Sequence, residues 1–132
     1  MVEALQALRG VQFTVAVTTV AALGDLTRVA TPRQLRHYLG LTPSEYSSGP
    51  RRQQGSMTKT GNTHARRALA AGAGAYRYPA KVSRHLHLRL EKLPTASQAI
   101  SWKAHVRLCT RYRQLMAKGN NANQVVVAIA RE

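Results

Sequence analysis

A chain of 132 residues suits one domain, 1–132, with a modest core, and is short for a complete two-part enzyme. Twenty Lys and Arg against five Asp and Glu give a formal charge of +15, a balance that calls for a polyanionic partner, nucleic acid first. The lone Cys109 excludes an internal disulfide, and with no apolar run of about eighteen residues the expectation is a soluble, cytoplasmic protein without a membrane partner.

The charge is unevenly placed. Residues 51–118 hold fifteen of the bases and one acid, Glu91, which is +14 of the +15. In chain order, Val2–Leu8 reads as a short helix stopped by Gly10. Val11–Leu23 is an apolar run whose valines and threonines fit helix or strand, with length favouring helix. Helix, glycine turn and helix together outline a helix-hairpin-helix, whose turn amides would meet a phosphate; a plain hairpin between core helices fits equally. Thr31-Pro32 opens a helix over 32–39 that Gly40 closes, carrying Arg33, Arg36 and His37.

Leu39–Arg67 concentrates glycine, serine and cations between helical segments, and is expected as an exposed basic loop. Asn62 or Thr63 caps the next helix, expected to run to Tyr78 before Pro79. Ala65, Leu69, Gly72, Ala73 and Tyr76 share one of its faces and ask for close backbone packing, which must offset about 1 kcal/mol of lost propensity per glycine. Ser83–Leu93 is a further helix with Leu86 and Leu90 inward. Its His85 and His87 are two apart and do not share a helical face, so no metal site is expected there. Thr95 or Ser97 caps a long helix reaching Lys118, with Trp102, Val106, Cys109, Tyr112 and Met116 as its buried stripe. Lys103, Arg107, Arg111 and Lys118 line a neighbouring face, either along a phosphate backbone or in solvent. Asn123–Arg131 is the last helix. The fold class is therefore all-α: a helix-hairpin-helix-like N-terminal half, an exposed basic loop, then a bundle of longer helices.

Phosphodiester cleavage needs metal-binding carboxylates or a protein nucleophile. Glu3, Asp25, Glu45, Glu91 and Glu132 are scattered along the chain, so no metal and no cofactor is assigned to these residues. A serine hydroxyl is chemically possible, with Arg51, Arg52, Lys59, Arg66 and Arg67 to balance charge on the phosphoryl oxygens.

The order G-L-T-P at 40–43, S-S-G at 47–49, Arg51-Arg52, T-K-T-G-N at 58–62 and Arg66-Arg67 opening a helix resembles the C-terminal domain of the IS110/IS116/IS902 insertion-sequence transposases, the bridge-RNA-guided serine recombinases. The resemblance covers Leu5 to about Arg67 well and the rest loosely. It implies DNA transposition by site-specific recombination in the bacterial nucleoid. It also implies a composite site shared with an N-terminal RuvC-like domain, whose acidic residues bind magnesium, within a homo-oligomer. By position, Ser48 is the nucleophile and Ser47 the alternative. Arg51, Arg52, Lys59, Arg66 and Arg67, with Lys103, Arg107 and Arg111, contact DNA or guide RNA, while Gly49, Gly61 and Asn62 shape the loop. Ala65 departs from the family's usual leucine, and no acidic domain lies within these 132 residues. Alone, the chain is expected to bind nucleic acid and not to cut it. The competing expectation is a non-catalytic, basic nucleic-acid-binding module.

Overall fold

The computed structural model describes all 132 residues, Leu26 by its backbone alone. Val2–Leu5 (α1) is a single turn, shorter than expected because Ala7 and Leu8 donate to carbonyls three residues back and tighten the chain toward Gly10, φ 80°. The apolar run forms a helix, Phe13–Leu23 (α2), burying Ala16 and Thr19. Thr19 remains helical because its hydroxyl donates to the Val15 carbonyl at 2.7 Å. After a 3-10 turn at Leu26–Arg28, Pro32–Tyr38 (α3) begins as expected, with the Thr31 hydroxyl accepting from the Gln34 amide at 3.3 Å.

The loop expected over Leu39–Arg67 contains a small antiparallel hairpin, Pro43–Glu45 (β1) and Gln54–Met57 (β2). Pro43 lies opposite Met57 and Glu45 opposite Gln54, with a register irregularity between them. Glycine, serine and glutamine have weak strand preference, so pairing rather than propensity makes these strands. Apart from this hairpin the architecture is helical, as the fold class anticipates.

Thr63–Ala73 (α4) is the central helix. The Asn62 side chain caps it, accepting from the amides of His64 at 2.9 Å and Ala65 at 3.1 Å. Instead of continuing to Tyr78, the α-helix stops at Ala73 and becomes a 3-10 turn, Gly74–Arg77, where its glycines lower the cost of changing pitch. The small-residue face is real: Ala65, Gly72, Ala73 and Tyr76 are buried, and Gly72 lies against the Gly10 carbonyl. α2 crosses this helix on one side and Ala122–Arg131 (α7) on another.

Arg84–Leu90 (α5) is capped by Ser83 and buries Leu86. Thr95–Ala117 (α6) follows Pro94, which occupies the cap position expected for Thr95 or Ser97. Gly119, φ 79°, turns the chain into α7, capped by Asn121. One core cluster joins Ala73, Tyr76, Leu108, Cys109, Tyr112, Val125 and Ile129; another gathers Leu39, Leu41 and Ala65 at the foot of the hairpin. Burial pushes the Cys109 thiol pKa up, consistent with a core residue rather than a reactive one.

The buried stripe of α6 differs from expectation. Trp102, Val106 and Met116 are 45, 42 and 41% exposed, whereas Ser101, His105, Leu108, Cys109 and Tyr112 are buried. The inward face is partly polar because the turn after α1 packs on it. Ser101 donates to the Ala7 carbonyl at 3.0 Å, and the Arg9 amide donates to His105 Nε2 at 2.7 Å. A search for apolar periodicity selects the neighbouring stripe, since these two buried residues are hydrophilic.

His105 accepts that hydrogen bond as a neutral ring. Burial first, and the Arg9 cation second, lower its pKa below the ordinary value. The folded state therefore binds fewer protons than the unfolded chain, whose histidines titrate at about 6.5. This contribution to stability is complete above about pH 6.5 and declines as the pH falls from there toward the lower folded-state pKa. Urea melts at pH 8 and pH 5 are expected to show the loss, and His105→Gln, an acceptor that does not titrate, to flatten that part of the profile. An unchanged slope in His105→Gln would remove His105 as its source.

Candidate nucleic-acid interface

The hairpin stands on a clasp of backbone against backbone. Gly40, φ 63°, meets the main chain of Thr60, and Gly61, φ 81°, meets the carbonyl of Tyr38, approaches that leave no room for a Cβ. The Lys59 amide donates to the Gly40 carbonyl at 3.2 Å and the Thr58 amide to that of Thr42 at 3.0 Å. Lys59 has φ 55°, a left-handed conformation costing a side-chain-bearing residue roughly 1–2 kcal/mol. The residue is exposed.

Arg66 locks this clasp. Its Nη1 donates to the Leu39 carbonyl at 3.1 Å and the Thr60 carbonyl at 3.0 Å, while Nη2 reaches Thr63 Oγ1 at 3.4 Å. Arg67, the next residue, is exposed and has no such partners among the described residues. The two adjacent arginines therefore separate in function. Arg66→Ala is expected to lower stability by about 2 kcal/mol, because a part-buried carbonyl, that of Leu39, and the exposed one of Thr60 lose a charged donor. Arg67→Ala should leave the thermal midpoint unchanged while weakening nucleic-acid binding and reducing its salt slope by about 1. Equal midpoints for the two variants would contradict the assignment.

At the far end, Ser48 and Arg51 form a bridge across a two-residue turn, Gly49-Pro50, in which Gly49 takes φ 65°. Glu45 sits below this tip. It accepts from Arg52 Nε at 3.0 Å and from Ser47 Oγ at 3.1 Å, and those bonds, Arg52 foremost, hold its carboxyl below the usual carboxylate range. Ser47 is thus tied down, whereas the Ser48 hydroxyl makes no hydrogen bond among the described residues. Glu45, one of the acids that looks scattered in sequence, is two residues from Ser47 along an extended segment, which places both on one side.

The structure gathers Ser47, Ser48, Gly49, Arg51 and Arg52 at the hairpin tip and Lys59, Gly61, Asn62, Arg66 and Arg67 at its base. It does not bring the α6 cations to the tip. Arg107 and Arg111 instead pair with the Glu132 carboxylate at 3.4 and 3.2 Å, and Lys103 stays exposed on the same helix. At the expected helix-hairpin-helix, the Arg9 amide is committed to His105 and the Val11 amide to the Leu8 carbonyl, so those donors face inward. Among the described residues no three His, Cys, Asp or Glu side chains gather to hold a metal ion. No described helix is long and apolar enough to cross a membrane.

The scaffold is strongly basic and mostly helical, and its small hairpin carries Ser47, Ser48, Arg51 and Arg52 at the tip. The transposase IS116/IS110/IS902 family matches over residues 2–87, and the chain belongs to that family. It is 43% identical over all 132 residues to a Sinorhizobium fredii protein named as a transposase, y4qE, and covers 34% of that relative. It is 34% identical over 74 residues, 22% of the relative, to a Pseudomonas aeruginosa protein named as a family 20 transposase. Over 73 residues it is 33% identical to the transposase for insertion sequence element IS1111A of Coxiella burnetii, covering 20% of it. The chain thus spans about a third of the length of the Sinorhizobium relative.

Proposed function

We propose that this chain is the part of a DNA transposase that grips nucleic-acid backbone and presents Ser48 as the nucleophile for strand cleavage and exchange. The observation that carries the reading is the hairpin tip: a serine hydroxyl without an internal partner, beside Arg51, on a turn that holds it out from the scaffold. In such a step Ser48 Oγ bonds to the phosphorus as the bond to one bridging oxygen breaks. The serine gives up its proton and the departing oxygen gains one. Attack by a hydroxyl of the incoming strand then reverses the exchange and frees the serine. Arg51, Lys59 and Arg67 balance charge on the phosphoryl oxygens and hold flanking phosphates. The magnesium-binding acids implied by the family resemblance would come from outside these 132 residues, and guide RNA is a second polyanion that the same cations suit.

The test is a full-length transposase carrying this domain, incubated with a suicide DNA substrate. A covalent protein–DNA adduct is expected on the peptide containing Ser48, while the 132-residue chain alone binds DNA or structured RNA without cutting. No adduct, together with unimpaired exchange by Ser48→Ala, would leave a non-catalytic binding module as the reading. An adduct on Ser47 would move the nucleophile by one residue.

A further inference from the structure

We infer that a cationic cavity near the C-terminal end of α4, away from the hairpin, is a separate phosphate site that takes a backbone phosphodiester of nucleic acid. This rests on the proposal that the chain binds nucleic acid, but uses none of the residues assigned to it above. The cavity, about 420 Å³, lies between the turn after α1, which contributes Arg9 and Gln12, and the segment around α5, which contributes Lys81, Ser83, His85 and Arg89.

Three permanent cations and an imidazole converge there, and no carboxylate lines the wall. The nearby acids are engaged or set apart. Glu91 pairs with His87 at 3.3 Å, and Glu3 lines a neighbouring cleft shared with Arg89 and Lys92. Arg9 is fixed in place: its Nη1 donates to the Pro79 carbonyl at 2.6 Å and its guanidinium lies 5.8 Å from the Tyr78 ring centre. Neither Lys81 nor Arg89 forms an ion pair among the described residues. Like charges gathered in a concavity repel one another, and the concave wall focuses their field, so an anion in the cavity relieves a standing repulsion. A phosphate with several acceptor oxygens suits the Arg89 guanidinium, the Lys81 ammonium and the Gln12 amide as donors, while Arg9, committed to the Pro79 carbonyl, adds positive charge at the wall.

The chemistry available is binding only. Ser83, the one hydroxyl in the wall, accepts from the Leu86 amide at 3.3 Å as the α5 cap. The position relative to the hairpin follows from α4. Its first residues meet the Gly40–Gly61 clasp, and Gly72 meets Gly10 at the cavity turn. From Thr63 beside the clasp to Gly72 at the cavity turn is nine steps of α-helix, roughly 14 Å along the axis and less than half a turn of duplex DNA. A strand engaged at the hairpin is therefore within reach of a second anchor that fixes its direction.

The experiment measures affinity of the 132-residue chain for a DNA oligonucleotide across a salt series. It compares wild type with Lys81→Gln/Arg89→Gln and with Arg28→Gln/Lys118→Gln, which removes the same charge outside the cavity. The cavity variant is expected to lose on the order of tenfold in affinity and about 2 in the slope of log K against log salt, well beyond the control. Independently of any variant, acylation of Lys81 in the wild-type chain, mapped by peptide mass, should slow when the oligonucleotide is bound. Equal losses in cavity and control variants, with Lys81 acylated at the same rate bound and free, would overturn the site. Protection by inorganic pyrophosphate at concentrations where the oligonucleotide gives none would assign the cavity to a free anion and overturn the backbone assignment. If wild type itself fails to bind nucleic acid, the functional proposal fails first, and the pyrophosphate arm alone then decides whether the cavity holds phosphate.

Discussion

Ser48→Ala, placed in a full-length transposase that carries this domain, is expected to lower strand cleavage and exchange by at least about 10⁴-fold, with nucleic-acid affinity within about twofold of wild type. A neutral hydroxyl contributes little to phosphate-backbone affinity, which cations supply, whereas removing a covalent nucleophile removes the reaction path. Ser47→Ala is the informative partner. Its hydroxyl donates to Glu45, which Arg52 holds at 3.0 Å regardless, so the hairpin should survive and activity stay within a few-fold. The same bonds bear on the proton. Glu45 is held below the usual carboxylate range by Arg52 and then by Ser47, so at neutral pH it is an ionised, weak base and a poor acceptor for either serine's proton. The base for Ser48 is accordingly expected to lie outside the hairpin. Exchange rates measured on matched substrates decide the matter, and wild-type rates from Ser48→Ala would end the serine reading.

The parts of this fold that the sequence made legible are those where one residue type has one physical use. Thr31-Pro32 and Asn62 cap the helices they were expected to cap, because a short side-chain acceptor beside helical periodicity has few other roles. The small-residue face of α4 was readable because Ala65, Gly72 and Ala73 at helical spacing imply a neighbouring backbone. What stayed hidden required knowing a partner. β1 and β2 contain weak strand formers that hold only because each pairs with the other. The inward face of α6 includes Ser101 and His105, whose hydroxyl and Nε2 bond a carbonyl and an amide more than ninety residues away in sequence. At the site, motif order selected the right stretch and could not divide its labour. Arg66 and Arg67 look alike in sequence, yet one clasps carbonyls and the other faces outward. Ser47 and Ser48 differ in the same way, through a carboxylate on Glu45 that the sequence reading counted as scattered.

Gly61→Ala should damage the hairpin severely, lowering stability by about 3 kcal/mol and the thermal midpoint by roughly 10 °C. Two costs combine. At φ 81° an alanine occupies a left-handed conformation, which costs roughly 1–2 kcal/mol. Its Cβ also runs into the Tyr38 carbonyl, a main-chain atom at the end of α3 that cannot turn aside as a flexible side chain does. Gly119 isolates the first cost: its φ of 79° is close to that of Gly61, but a Cβ there meets nothing within 4 Å. Gly119→Ala should therefore lose about 1 kcal/mol, and the difference between the two variants measures the clasp. The damage should also be directional. Forcing Gly61 away from Tyr38 separates Thr60 from Gly40 and pulls the Thr60 carbonyl off Arg66, so the Lys59 amide loses its acceptor on Gly40. Hydrogen exchange at Thr58 and Lys59 should then rise in Gly61→Ala, while amides within α6 keep their protection. Identical melting of Gly61→Ala and Gly119→Ala would show that the close approach carries no energy. A faster-exchanging clasp with α6 intact would show that the base of the hairpin is held by the main-chain contacts of Gly40, Thr60 and Gly61, independently of the helical core.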